Sequence, residues 1–194
     1  PVLVTLETDK NAYLAGHLQG NGVVVVNDTA LPLTGKVRCR CMDFYGRCLD
    51  RIDYPIAIGP FSRSLPRVLP RALALPAAPN RCVLQLEVET ASGVIAENRF
   101  FYLPDKFIDW PTAHLDVQVR PIDPFRLRMC ITSKTLLRDV SITPPERAVL
   151  SDNFLDILPN RPTQIDFHFA GNAPSTRTPF LLRSIPCGLE PRNQ

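Results

Sequence analysis

Residues 148–169 read AVLSDNFLDILPNRPTQIDFHF, and their middle, Ser151 to Asn160, wraps polar turn-formers around four large apolar side chains. Asp and Asn side chains bond nearby backbone groups, so Asp152 and Asn153 are expected to end an extended run. Phe154, Leu155, Ile157 and Leu158 are expected to be buried, since an exposed cluster of that size would be adhesive. Pro159-Asn160 makes a second turn. Beyond it the chain alternates. Ile165, Phe167 and Phe169 face one way and Gln164, Asp166 and His168 the other, the pattern of a half-buried strand. The stretch reads as strand, packed crossover, turn and strand. That describes the corner of a β-sandwich, and equally a sheet edge in another β protein.

The same alternation recurs on both sides of it. Val2 to Glu7 is a first strand, turned at Asp9-Lys10-Asn11 and led on by Tyr13 to Gly16. Leu18 to Asn27 holds the run Val23 to Val26, suited to a strand buried on both faces. Lys36 to Phe44 places Val37, Cys39 and Cys41 inward and Arg38 and Arg40 outward, before a turn at Tyr45-Gly46. Asp50 to Asn80 carries Pro55, Pro60, Pro66, Pro70, Pro76 and Pro79, which predicts short edge strands and loops. Arg81 to Glu89 puts Cys82, Leu84, Leu86 and Val88 inside. Ala91-Ser92-Gly93 turns the chain, and Val94 to Tyr102 pairs back with Val94, Ala96, Phe100 and Tyr102 on one side.

About seven short strands at such intervals predict an immunoglobulin-like sandwich. A polar, proline-stiffened link follows, which should hold a fairly fixed angle between its neighbours. A second set of strands then begins. Leu115, Val117 and Val119 alternate, as do Phe125, Leu127, Met129 and Ile131, with Arg126, Arg128 and Cys130 outside. Val140 and Ile142 point inward before Pro144-Pro145. Pro179 to Pro186 closes the set with Phe180, Leu181, Leu182 and Ile185, and Gly188 to Gln194 reads as a frayed tail. The expected fold is all-β: two consecutive immunoglobulin-like β-sandwiches, residues 1–103 and 112–194, joined by a linker at 104–111.

The chain has 194 residues, enough for two such domains, with 20 prolines that interrupt any long helical pattern. A net charge of +3, scattered along the chain, argues against a nucleic-acid partner. No apolar run nears the roughly 18 residues that span a bilayer, and no signal peptide is evident, so no membrane partner is expected. The chain opens on Pro1, inside what already reads as a strand, which suggests a segment of a longer polypeptide.

Six cysteines occur. Cys39 and Cys41 are too close for a zinc knuckle, and Cys48 does not complete one. Cys39, Cys41 and Cys82 read as small core side chains. A Cys130–Cys187 bridge is open but unsupported.

A hydrolytic carboxylate pair would sit about 5 to 9 Å apart around a cleft. Here Glu87, Glu89, Glu97, Asp116 and Asp166 alternate outward, as on a solvated sheet face, and Asp152 and Asp156 sit in a turn that has local uses for them. His17, His114 and His168 are scattered. No nucleophile–base set or phosphate-cradling glycine loop is present. The expectation is therefore no catalytic residue, no cofactor and no metal. Tyr13, Tyr45, Tyr54 and Trp110 are the aromatics that could be exposed, which makes any carbohydrate-stacking face weak. Trp110 is expected to pack at the junction of the two domains rather than on a sugar.

The order of these residues resembles a known pair of domains. The run SDNFLDILPN is similar to a motif in the last immunoglobulin-like domain of family 2 glycoside hydrolases of the β-mannosidase type. Leu155 stands where a second aromatic is common, and Asn160 where glycine is usual. Asn tolerates positive φ, which such a turn needs. PVLVTLETDKNAY, VVNDT, LTGKVRCRCMDFYG and the hairpin GVIAENRFFYLPDKF resemble the preceding domain of the same enzymes, with Asn98, Phe100, Phe101, Pro104 and Lys106 leading into the linker. The resemblance implies a non-catalytic region that packs on an upstream (β/α)8 barrel, which would carry the catalytic glutamates. The alternative is an independent immunoglobulin-like module that binds glycan or protein.

Overall fold

The structure, a computed structural model, describes residues 1–7 and 22–185. The chain divides into two units, residues 1–43 with 47–109, and residues 110–194 with the turn Phe44–Gly46. The predicted turn at Asp9 to Asn11, the lead at Tyr13 to Gly16, the start of the Leu18 strand, His17, Cys187 and the tail from Gly188 lie outside the described residues.

In chain order the first unit contains β1 (Val2–Glu7), β2 (Gly22–Asn27), β3 (Leu33–Asp43), β4 (Cys48–Ile58), β5 (Ser62–Arg63), β6 (Arg67–Val68), one helical turn α1 (Arg71–Ala74), β7 (Cys82–Thr90) and β8 (Gly93–Phe101). One sheet is β1-β2 with β5 and β6 along the far edge of β2; the other runs β4-β3-β7-β8. Val4, Leu6, Val23 and Val25 from the first sheet meet Val37, Cys39, Cys41, Leu84, Leu86 and Val88 from the second. Leu73 of α1 fills one end, and the buried Tyr102 hydroxyl donates to its carbonyl at 2.7 Å. Asn98 Nδ2 of β8 donates to Val4 O of β1 at 3.0 Å, tying the two sheets at one side. Gly35 is required by close approach, since a Cβ there would lie 2.2 Å from Glu89 O.

Two expectations for the strands of this unit need correction. The proline-rich region opens with the eleven-residue strand β4, not a short one. Pro55 is tolerated inside it because β4 is an edge strand, where the missing N–H breaks no second ladder. Val94 is 48% exposed and faces away from the core. A bulge between Val88 and Glu89 pairs Val88 with Ala96 but Glu89 with Val94, so Val94 follows the outward residue.

The second unit contains β9 (Leu115–Asp123), β10 (Arg126–Ser133), β11 (Leu137–Thr143), β12 (Ala148–Leu150), β13 (Leu155–Ile157), β14 (Thr163–Phe169) and β15 (Leu181–Ile185). Its sheets are β12-β14-β10-β9 and β13-β11-β15. Leu127, Met129, Ile131, Ile165, Phe167 and Phe169 pack against Val140, Ile142, Ile157, Phe180 and Leu182. The Phe167 and Phe180 rings lie 5.0 Å apart, tilted by 59°.

The 148–169 stretch folds as strand, crossover, turn and strand, and its polar residues serve the backbone. Ser151 exchanges two bonds with Asp166, through its own N–H and through its Oγ. Asn153 acts as an artificial strand residue. Its Oδ1 accepts the Ile142 N–H at 2.8 Å and its Nδ2 donates to Ile142 O at 3.1 Å. Asp156 Oδ1 accepts the Asp139 N–H. Asn160 has φ 58°, the left-handed turn its amide side chain favours, and its N–H donates to Ser133 O.

Of the four apolar residues in that run, only Ile157 is fully buried; Leu155 and Leu158 are half-buried and Phe154 is 73% exposed. The chain reverses at Phe154 with φ 55°, which turns its ring away from the core. Phe125 is likewise 49% exposed, because it lies in the turn before β10, where its N–H donates to Asp123 Oδ1. Leu181 is half exposed while its neighbours Phe180 and Leu182 are buried.

Candidate functional site

The outward face of β4-β3-β7-β8 gathers the densest charge of the first unit. β3 contributes a cationic stripe, Lys36, Arg38 and Arg40. Asp53 lies opposite Arg38 on one side and Glu87 on the other, with Glu97 beyond it. Arg40 Nη2 donates to Glu87 Oε1 at 2.7 Å and Arg38 Nη1 to Glu87 Oε2 at 3.5 Å. Arg38 also holds the Glu89 carboxylate through Nη2. Gln85 Nε2 adds a bond to Glu87 Oε1 at 3.0 Å. Lys36 Nζ lies 3.3 Å from Glu89 and 3.7 Å from Asp53. Arg51 clamps Asp53 with bonds of 2.8 and 2.5 Å.

Glu87 therefore does not sit on a solvated face as expected: it is 4% exposed, and Gln85 is 2% exposed. Long arginine side chains from β3 lie over them, as such stems can cover their neighbours. Glu87 thus carries two guanidinium partners, and Glu89 and Asp53 each meet more than one cation.

The carboxyls whose protonation is displaced all move the same way. A hydrogen bond from Arg51 holds Asp53 below the usual carboxylate range. Arg126 does the same for Asp123, and Arg128, bonded to both Asp166 oxygens at 2.5 and 2.7 Å, does so for Asp166. A glycosidase acid requires the opposite displacement, upward. Among the described residues of the second unit, a cleft of about 510 Å3 between β9 and residues 176–182 has no carboxylate in its lining, and another, of about 360 Å3, has Asp116 alone.

The remaining candidates are dispersed. His114 and His168 are exposed on different strands or loops, and no group of His, Cys, Asp and Glu among the described residues could hold a metal ion. Cys39, Cys41 and Cys82 are buried free thiols; burial pushes the Cys39 thiol up to about 12, away from nucleophilic use. The Cys82 thiol is also raised, first by a hydrogen bond with the Cys41 thiol and then by burial. Tyr45 is 62% exposed, whereas the Tyr54 hydroxyl donates to Val68 O and Trp110 stacks on Phe44 within the second unit, centroids 5.2 Å apart.

Residues 22–107 match the family model for the Mannosidase Ig/CBM-like domain, and residues 111–184 match that for the mannosidase Ig-fold domain. A search of curated protein sequences gave no match. Among solved structures the chain is similar to a β-D-mannosidase from Dictyoglomus thermophilum, with TM-score 0.69 and 20% identity over 94% of this chain and 21% of that one. It is also similar to an exo-chitosanase from Amycolatopsis orientalis, with TM-score 0.57 and 8% identity over 93% of this chain and 25% of that one. At these identities the likeness establishes fold, and the chain spans about a fifth to a quarter of either enzyme's length. The two family matches, in this order and together covering most of the chain, place it among the immunoglobulin-like domains of the mannosidase type.

Proposed function

We propose that this chain is the non-catalytic, C-terminal pair of immunoglobulin-like domains of a longer glycoside hydrolase of the family 2, β-mannosidase-like type. It packs on an upstream (β/α)8 barrel, stabilises it, and leaves the hydrolysis of the O-glycosyl bond to that barrel. The observation that carries this reading is the tandem of two mannosidase-type domains, within a chain that covers 21% of a β-mannosidase. The surface chemistry supports it: the carboxylates on the charged face are held by cations, and the clefts described above lack a carboxylate pair. The coding sequence directly upstream tests the proposal. A barrel carrying paired glutamates is the expected result, and an unrelated domain there overturns it.

A further inference from the structure

One edge of the first sandwich is built differently from the rest. After β4 the chain runs back along β2, forming only the two-residue strands β5 and β6. Four large apolar side chains on this edge and the loop beside it face solvent: Leu31 is 73% exposed, Phe61 70%, Leu65 82% and Val68 66%. They are held in place. Asn27 Nδ2 donates both to Leu31 O and to Gly59 O, and the Phe61 N–H donates to Thr29 O, so the loops carrying Leu31 and Phe61 are pinned together. Ser64 exchanges two bonds with the Val25 backbone, and Tyr54 bonds Val68 O. Leu69 and Leu73, buried in the core, anchor the segment from below.

Phe61 has φ 48°, a conformation L-residues rarely adopt, and it displays its ring instead of burying it. Backbone strain of that kind persists where the surroundings impose it, and it gathers at functional sites. Arg67 and Arg71 are exposed on the same segment and have no acidic partner among the described residues, whereas Arg63 pairs with Glu7 at 2.8 Å. An edge that displays several large apolar side chains beside unmatched cations marks an interaction surface.

We propose that this edge, Leu31 with residues 61–71, is the face on which the catalytic part of the longer polypeptide docks, through an apolar patch bordered by acidic side chains that meet Arg67 and Arg71. This rests on the accessory reading above. Two observations select that occupant. The enzymes with this domain pair carry most of their length outside it, since the chain covers only 21% and 25% of them. Pro60, Pro66 and Pro70 also interrupt the edge, so a second copy finds no continuous ladder to zip onto, and contact must come through side chains.

Hydrogen exchange on the 194-residue chain and on the polypeptide encoded with its natural upstream sequence tests this. Backbone amides of residues 61–68 are expected to exchange at least tenfold more slowly in the longer polypeptide. A photoreactive benzoylphenylalanine at position 65 should cross-link to a peptide outside the chain, and one at position 49 should not. Protection confined to other faces overturns the docking edge and leaves the accessory reading standing. Protection nowhere overturns both. Cross-links to a second copy, or binding of the chain to anionic vesicles that is lost in Leu65→Ser, assign the edge to another occupant and overturn it.

Discussion

Replacing Asn153 with alanine removes both bonds that its amide makes to Ile142, at 2.8 and 3.1 Å. Ile142 is 2% exposed, so its N–H and C=O cannot turn to bulk water without opening the sheet. Each bond contributes a net of about 1 kcal/mol, and a buried group left unpaired costs about 1–3 kcal/mol. Asn153 itself is half-buried, so some water can enter the gap. The expected loss is about 2–4 kcal/mol for the second unit. Asn153→Asp preserves the acceptor for Ile142 N–H but sets a carboxylate oxygen against Ile142 O, and should cost at least as much. Urea unfolding followed by the fluorescence of Trp110, the single tryptophan and a member of that unit, reads the change. If both variants lose less than about 0.5 kcal/mol, the range of an ordinary surface change, the claim that Asn153 substitutes for a strand is wrong.

Gly35→Ala forces a Cβ to within 2.2 Å of the Glu89 carbonyl oxygen, so β3 and β7 must part locally. A loss of about 1–3 kcal/mol in the first unit, read by calorimetry, is expected, and an unchanged melting temperature contradicts the close approach. Tyr102→Phe deletes the buried bond to Leu73 O and should cost about 1–2 kcal/mol with little change in secondary structure by circular dichroism. Asp53, Asp123 and Asp166 all ionise more readily when folded than when unfolded. Their stabilising contribution is therefore complete above the unfolded Asp value near about 3.9 and is lost as pH falls through the lower folded values. The urea midpoint should stay nearly flat from about pH 7 to 5 and decline below about pH 4, modestly, because these pairs are partly exposed to screening water. A midpoint that rises on acidification contradicts the pairing.

Alternation made the sandwich cores legible, because inward and outward positions of a strand are set by local sequence alone. Cys39, Cys41, Leu84, Leu86, Val140 and Ile142 are buried as the pattern predicts. The pattern loses its meaning where the backbone breaks its period of two. The bulge at β8 moves Val94 outward, and the positive φ at Phe154 exposes a ring that hydrophobicity alone assigns to the core. Glu87 was illegible for another reason: its burial depends on Arg38 and Arg40, which lie far off in sequence and reach it only through the β3–β7 register. The exposed edge at Phe61 and Leu65 was hidden in the proline-rich region, whose side-chain directions follow no simple period. For the candidate site, the outward alternation of the acidic residues was legible in the sequence, but the burial of Glu87 was not. Their pairing with arginines needed the sheet order.

The central claim is that these two sandwiches do no chemistry of their own. The purified 194-residue chain, incubated with an aryl β-D-mannoside, tests it most directly. The account predicts product release no faster than in buffer, while the same substrate is hydrolysed by the polypeptide encoded with its upstream sequence. Turnover by the 194-residue chain alone, surviving repurification, would contradict it.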